Sequence, residues 1–117
     1  MKIRIKGNSL RYRLTKSDVR NFEEERYIEE HTHFAGQTLI YALQQNIGNQ
    51  LSAVFKDNKI TLFMPDVMLR EWVSTDRVGF EGDDNGLYLL VEKDFKCLDN
   101  VAEDQSDNYP NPLNMLL

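Results

Sequence analysis

Two histidines and a cysteine are the side chains in this sequence that could most readily do chemistry. His31 and His33 stand two apart in "HTH", and in an extended strand this spacing puts both imidazoles on one face, where they could bind one metal ion. Cys97 or Asp83 could complete such a site in space. The chain has no other histidine and no CxxC or HExxH motif, so two exposed strand histidines are the favoured interpretation. We therefore expect no cofactor, and a metal-dependent enzyme is the weakest of the functions considered.

Cys97 could alternatively act as a nucleophile, which needs a neighbouring base and an oxyanion hole. No third partner can be assigned beside it and the two histidines, so a buried and unreactive thiol is favoured. The carboxylate clusters have no identifiable partners, and neither half of the chain has the glycine-rich strand-to-helix turn of a phosphate loop. These observations favour a protein that is not an enzyme.

The chain begins with a basic stripe, "KIRIKGNSLRYRL" at residues 2–14. Strand periodicity predicts that its apolar members face a core: Ile3, Ile5, Leu10, Tyr12 and Leu14. The cations then share the outer face of a two-stranded ribbon: Lys2, Arg4, Lys6, Arg11 and Arg13. Such a ribbon could contact the phosphates of DNA, or it could be a solvated face that "EEERYIEE" neutralises.

Charge is unevenly distributed along this acidic chain, whose net charge is −5. Residues 1–20 carry seven basic side chains against one acidic, whereas the remaining 97 residues carry seven basic and eighteen acidic. Such asymmetry can mark an interaction surface. It can equally mean that the basic part packs beside acidic parts of the same fold.

Residues 98–117 form an acidic tail in which Pro110 and Pro112 disfavour a helix or a central strand. Its candidate contact residues are Asp99, Glu103, Asp104, Asp107 and Tyr109. The tail ends in an apolar tip, and an acidic stretch with such a tip could bind a protein partner. It could instead fold back along the basic ribbon.

The elements that must position these residues follow a repeat of fifty residues, in which 1–46 aligns with 51–96 without a gap. Each half predicts two strands around a short turn, a short helix and two further strands. Thr15 or Ser17 is the expected cap of the first helix, and Pro65 and Asp66 begin the second. The later strands are expected at 26–33, 37–44, 77–82 and 86–92, with a hairpin at "GDDNG".

We therefore predict a mainly β fold with two short helices, in which two fused β-β-α-β-β repeats close one barrel-like domain over residues 1–97. No run of the sequence approaches the length of a membrane span, so no membrane association is expected. The single cysteine excludes an internal disulfide and fits a reducing cytoplasm.

"KIRIKGNSLRYRLTKSDV" resembles the opening of the AbrB/MazE-type swapped-hairpin proteins, with a basic strand, a "GNS"-like turn, a second strand and a short helix. "KDNKITLFMPDVMLREWVSTDRVGFEGDDNGLYLLV" in the second half resembles the same unit. The resemblance implies that two fused units exchange hairpins to close one barrel, as also proposed for double-psi barrels. It further implies DNA binding by the basic first hairpin and, as in antitoxins, a toxin-binding segment beyond the barrel.

The whole chain also resembles a group of small uncharacterised bacterial proteins. Their members begin with a strand like "MKIRIKGNSLR" and end with a segment like "LVEKDFKCLDNVAEDQSDNYPNP". This resemblance implies a bacterial source and no particular activity. The favoured function is thus a non-enzymatic binding or interaction module of unknown target, with a DNA-binding or antitoxin-like regulator as the alternative.

Overall fold

The computed structural model describes residues 1–96 and 104–111. In chain order the strands and helices are β1 (Lys2–Lys6), β2 (Ser9–Leu14), α1 (Lys16–Glu25), β3 (Tyr27–Phe34), β4 (Gln37–Asn46), β5 (Ser52–Lys56), β6 (Lys59–Pro65), α2 (Asp66–Ser74), β7 (Gly79–Asp84) and β8 (Leu87–Lys93). The predicted mainly β class with two short helices is confirmed. No helix in the described part of the chain is long and apolar enough to cross a membrane.

The strands form two four-stranded sheets, with the orders β1-β2-β8-β7 and β3-β4-β6-β5. Each sheet therefore combines the first hairpin of one half of the chain with the second hairpin of the other half. The hairpins are antiparallel, and they join through the parallel pairs β2–β8 and β4–β6. This exchange places the basic first hairpin beside β8, which comes about 80 residues later in the chain.

The expected closed barrel is wrong, because no strand ladder joins the two sheets within the described residues. The sheets approach each other at β5 and β7, but a side chain occupies the hydrogen-bonding position there. The carboxylate of Asp84 accepts from the backbone amide of Ala53 at 3.0 Å. At another seam the Tyr41 hydroxyl donates to the Met1 carbonyl at 3.0 Å. Each sheet therefore keeps two edge strands.

One hydrophobic core draws side chains from both sheets and both helices. Its largest fully buried members include Trp72, Tyr12 and Phe22. The Tyr12 hydroxyl lies 3.4 Å from the Ile60 carbonyl, and burial raises the pKa of this phenol. Alternate residues of β2 and β6 face this core, as the period-2 pattern predicts.

Local sequence signals set the ends of the helices and the hairpin turns. Thr15 is the N-cap of α1 and forms a capping box with Asp18, while α2 begins at Asp66 directly after Pro65. The turn between β7 and β8 contains Asn85 and Gly86, both with positive φ of 53° and 92°. Asparagine and glycine tolerate that conformation, so the predicted hairpin is confirmed.

The two halves differ in the register of their second hairpins. Ser9 pairs with Tyr88, but Lys59, fifty positions after Ser9, pairs with Ile40 and not with Thr38. The β3–β4 hairpin therefore reaches two residues further past its neighbouring strand than the β7–β8 hairpin does. The aligned positions of the two halves therefore do not pair in the same register here. Because the offset is an even number, it leaves the inward and outward faces unchanged.

Candidate interaction surface

The basic stripe lies on one outer face of the β1–β2 hairpin. Register places Lys2 opposite Arg13 and Arg4 opposite Arg11. Like charges directly opposite each other on two strands repel and destabilise the pair. The folded chain must therefore balance these cations with other groups or leave them exposed to solvent.

Two carboxylates at the end of β8 form ion pairs with three of the five cations. Oε1 of Glu92 accepts from Nε of Arg11 at 2.6 Å and from Nε of Arg13 at 2.9 Å. Nζ of Lys2 lies 3.1 Å from Oδ2 of Asp94, which is ion-pair distance without hydrogen-bond geometry. The parallel β2–β8 pairing brings Glu92 there, because it sets Arg13 directly beside it. A large part of the stripe is thus neutralised within the fold.

Arg4 and Lys6 remain exposed and have no ion pair with any described residue. Together with Arg11 and Ser9 they line a depression of about 230 Å³ on the outer face, which Tyr88 and Leu90 complete. The Tyr88 hydroxyl donates to Glu81 on β7, and this bond raises the pKa of Tyr88. The unbalanced positive charge of the stripe is therefore concentrated near the tip of the hairpin.

An apolar cleft lies at the same end of the molecule, between the tips of the β1–β2 and β5–β6 hairpins. We call it the tip cleft; its volume is about 370 Å³. Its lining residues are mostly apolar and come from both sheets: Ile5, Gly7, Asn8, Ser9, Leu10, Leu39, Ala53, Val54, Phe55, Ile60 and Leu87. Ser9 and Leu10 also line the depression beside Arg4, so the apolar and basic features adjoin.

Ile5 shows how the cleft departs from the predicted core. Alternation assigned this side chain to the buried face, and it does lie on the cleft side of β1. It is nevertheless 57% exposed, and Phe55, fifty positions later, is 70% exposed. Both line the cleft between the two sheets, so they border an opening and not a packed interior. Two large apolar residues beside the turns of both first hairpins were the available sequence signal for this cleft.

The histidines lie on the outer face of β3, away from the tip cleft. Their ring centroids are 6.0 Å apart. Nε2 of His31 lies 2.6 Å from Oε2 of Glu29, which lowers the pKa of that carboxyl, and Nδ1 of His33 lies 3.1 Å from Oγ1 of Thr38. Asp83 is on β7 in the other sheet, and Cys97 lies outside the described residues. The described part of the chain contains no group of three or more side chains that could hold a metal.

The described part of the tail packs against the start of α1. The Asp107 carbonyl accepts from the Lys16 amide at 3.0 Å, and its carboxylate accepts from the Ser17 amide at 3.3 Å. The side chains of Thr15 and Ser17 also lower the pKa of this carboxyl. Tyr109 forms a bridge with Phe95 just after β8. Residues 104–111 are therefore held at one end of the β1-β2-β8-β7 sheet, and the tip cleft lies at the other end.

Of the remaining tail candidates, only Asp104 lies within the described residues. Asp104 is exposed and accepts from the Ser106 amide at 2.9 Å. Asp99 and Glu103 lie outside the described residues, as does the apolar tip at 113–117. The hypothesis that the tail runs along the basic ribbon receives no support from residues 104–111.

One family model, described as a family of unknown function (DUF7009), matches residues 1–113. Curated proteins give no match to the chain, and neither do solved structures.

Proposed function

The chain belongs to the DUF7009 family of unknown function, and we propose from its surface that it is a non-enzymatic protein-interaction module. Its tip cleft receives apolar side chains of a partner polypeptide. The observation that carries this proposal is the exposure of Ile5 and Phe55 at the mouth of a cleft whose lining is mostly apolar. When a partner covers exposed apolar side chains that border a concave site, the burial of their surface from water stabilises the complex.

The geometry of the cleft supports a small number of inserted side chains. Its volume of about 370 Å³ is at the lower end of the range for ligand sites. Its walls come from four different hairpins, so its shape depends on the packing of both sheets and not on one loop. Such a site suits one or two apolar anchors of a peptide, which is how short recognition segments gain most of their affinity.

The test compares Phe55→Ser with Phe34→Ser, because Phe34 is a second exposed phenylalanine, 60% accessible, that does not line the cleft. Peptides of about twelve residues are selected from a random phage-displayed library on the full chain. Their affinities for both variants are then measured by fluorescence anisotropy. Loss of a buried aromatic contact is expected to weaken binding about tenfold or more in Phe55→Ser.

Phe34→Ser is expected to bind the selected peptides as the unmodified chain does. The proposal fails if the library yields no specific peptide, or if both variants lose affinity equally. A nucleic-acid function is the competing proposal, supported by the exposed Arg4 and Lys6. A duplex that competes with the selected peptides and binds more weakly as salt rises would favour it.

A further inference from the structure

The outer edge of β1 has backbone groups that face away from β2. The two-residue turn at Gly7 and Asn8 makes Lys6 and Ser9 the closing pair of the hairpin. Counting back from Lys6, every second residue of β1 forms its backbone hydrogen bonds with β2. Ile3 and Ile5 fall between those residues, and their amides and carbonyls point outward. The same alternation turns Leu14 towards β8, where its carbonyl accepts from the Asp94 amide at 2.8 Å.

No strand pairs with this edge within the described residues, because β1 is the last strand of its sheet. The edge of β5 across the tip cleft is less available, since Asp84 already binds the Ala53 amide. Lysine and arginine on an edge strand ordinarily discourage pairing between like chains. They do not discourage a strand of opposite charge.

Side-chain direction then fixes what each face of an added strand meets. On the inner side, a residue opposite Ile5 lies at the mouth of the tip cleft. On the outer side, its sequence neighbours lie beside Arg4 and Lys6, the two cations of the basic stripe that are exposed and have no ion pair with a described residue. A strand whose side chains alternate between apolar and acidic would satisfy both faces at once.

We propose that β1 binds its partner by strand addition and that the partner is an extended segment alternating apolar and acidic residues. This inference rests on the proposed function and specifies its partner. The partner's backbone hydrogen-bonds to Ile3 and Ile5, its apolar side chains enter the tip cleft, and its carboxylates approach Arg4 and Lys6. Main-chain bonds supply affinity and the alternating side chains supply specificity, as in other cases of strand addition.

Charge complementarity favours an acidic peptide over a nucleic acid at this edge. Duplex binding draws its affinity from many phosphate contacts, but Glu92 and Asp94 already engage Lys2, Arg11 and Arg13. The two remaining cations suit a short row of carboxylates. The cleft directly beside them has no use in binding a phosphate backbone, whereas a peptide uses both.

The first arm of the experiment tests the backbone contacts with the tightest peptide from the library selection. Each of its amides is N-methylated in turn, and binding to the full chain is measured by fluorescence anisotropy. Strand addition predicts that affinity falls about tenfold at every second position and little at the positions between, because only alternate amides face β1. Sensitivity without a two-residue period, or none at all, overturns the inference.

The second arm tests the charges with the double variant Arg4→Gln and Lys6→Gln. At low salt, the double variant is expected to bind the same peptide about tenfold more weakly than the unmodified chain does. A peptide whose acidic residues are replaced by glutamine is expected to bind the double variant and the unmodified chain with equal affinity. The matched control is Lys16→Gln with Arg20→Gln, which removes two exposed cations from α1 and leaves affinity unchanged.

The outcomes separate this inference from the proposed function. If the selected peptides are apolar without acidic residues, and bind the double variant normally, the cleft is a binding site but strand addition beside cations is wrong. If no peptide is selected, or the Phe55→Ser variant binds as well as the unmodified chain, the proposed function fails first. A duplex that binds in place of any peptide overturns both.

Discussion

At the scale of single residues, Glu92 decides how much of the basic stripe is available to a partner. One of its carboxylate oxygens accepts from both Arg11 and Arg13, and the side chain is only 14% exposed. Such charge-assisted bonds are stronger than bonds between neutral groups. Without Glu92, the cross-strand pairs Arg4–Arg11 and Lys2–Arg13 would repel with less compensation.

We expect Glu92→Gln to lower the free energy of unfolding by about 1–3 kcal/mol, because two partly buried guanidinium groups lose their counter-charge. Urea unfolding followed by circular dichroism measures this change. The control is Glu71→Gln, whose partner Arg77 is half exposed, and a change below about 1 kcal/mol is expected there. Equal effects in both variants would show that the Glu92 pairs contribute no more than surface ion pairs.

The alternation of residues 2–14 was sufficient to predict which side chains face outward, since that pattern is local. It could not reveal Glu92 as their partner, because the contact depends on β8 lying parallel to β2. Sheet order is set by packing across the whole chain, and no local period encodes it. For the same reason the sequence predicted a buried Ile5, although that residue lies at the mouth of a cleft between the two sheets.

At the scale of the elements, the parallel and antiparallel ladders around β8 leave very little space at the start of β7. A Cβ atom built on Gly79 would lie 2.2 Å from the Val91 carbonyl oxygen and 2.8 Å from the Glu92 Cα. These neighbours are backbone atoms in a paired strand, so they cannot turn aside as a flexible side chain would. Gly82 on the same strand has its nearest neighbour, the Leu51 Cβ, at 3.6 Å.

Gly79→Ala is therefore expected to destabilise the protein by about 1–3 kcal/mol, because the strand must shift away from β8. Gly82→Ala is the matched control, and its effect is expected to stay within about 0.5 kcal/mol. Thermal and urea unfolding of both variants provides the measurement. A Gly79→Ala variant as stable as its control would contradict the close approach of β7 to β8 at this position.

The elements themselves follow well from the sequence, since strands, caps and tight turns are written in neighbouring residues. Thr15, Pro65 and the Asn85–Gly86 turn all mark element boundaries where the sequence predicts them. The two-residue extension of the β3–β4 hairpin is different. Both registers keep the same faces buried, so hydrophobic alternation alone cannot distinguish them.

At the scale of the whole molecule, the exchange of hairpins between halves creates the proposed binding surface. The tip cleft needs residues from both first hairpins and from both second hairpins, which the chain order keeps far apart. The duplication of the two halves remains a prediction, but it offers a physical reason for the cleft. Equivalent apolar positions, such as Ile5 and Phe55, then line the same cleft between the tips of two similar hairpins.

The tail provides the last prediction at this scale, because its described part holds the end of the molecule opposite to the cleft. Asp107 binds backbone amides at the start of α1. The backbone carbonyl of Tyr109 accepts from the Lys96 amide at 2.7 Å, and its backbone amide donates to the Asp94 carbonyl at 2.8 Å. The Lys93 ammonium lies 5.3 Å from the centre of the Tyr109 ring. These contacts connect the helix to the strand that bears Glu92.

Removing residues 104–117 is accordingly expected to lower the melting temperature by about 5–10 °C, through the loss of roughly 2 kcal/mol of hydrogen bonding and burial. Tyr109→Ser in the full chain should reproduce part of that loss.

The truncated chain should still bind the selected peptides with unchanged affinity, because residues 104–111 lie far from the tip cleft. Differential scanning calorimetry and anisotropy titrations measure the two quantities. An unchanged melting temperature would contradict the structural role, and a rise in peptide affinity would show that the tail competes for the cleft.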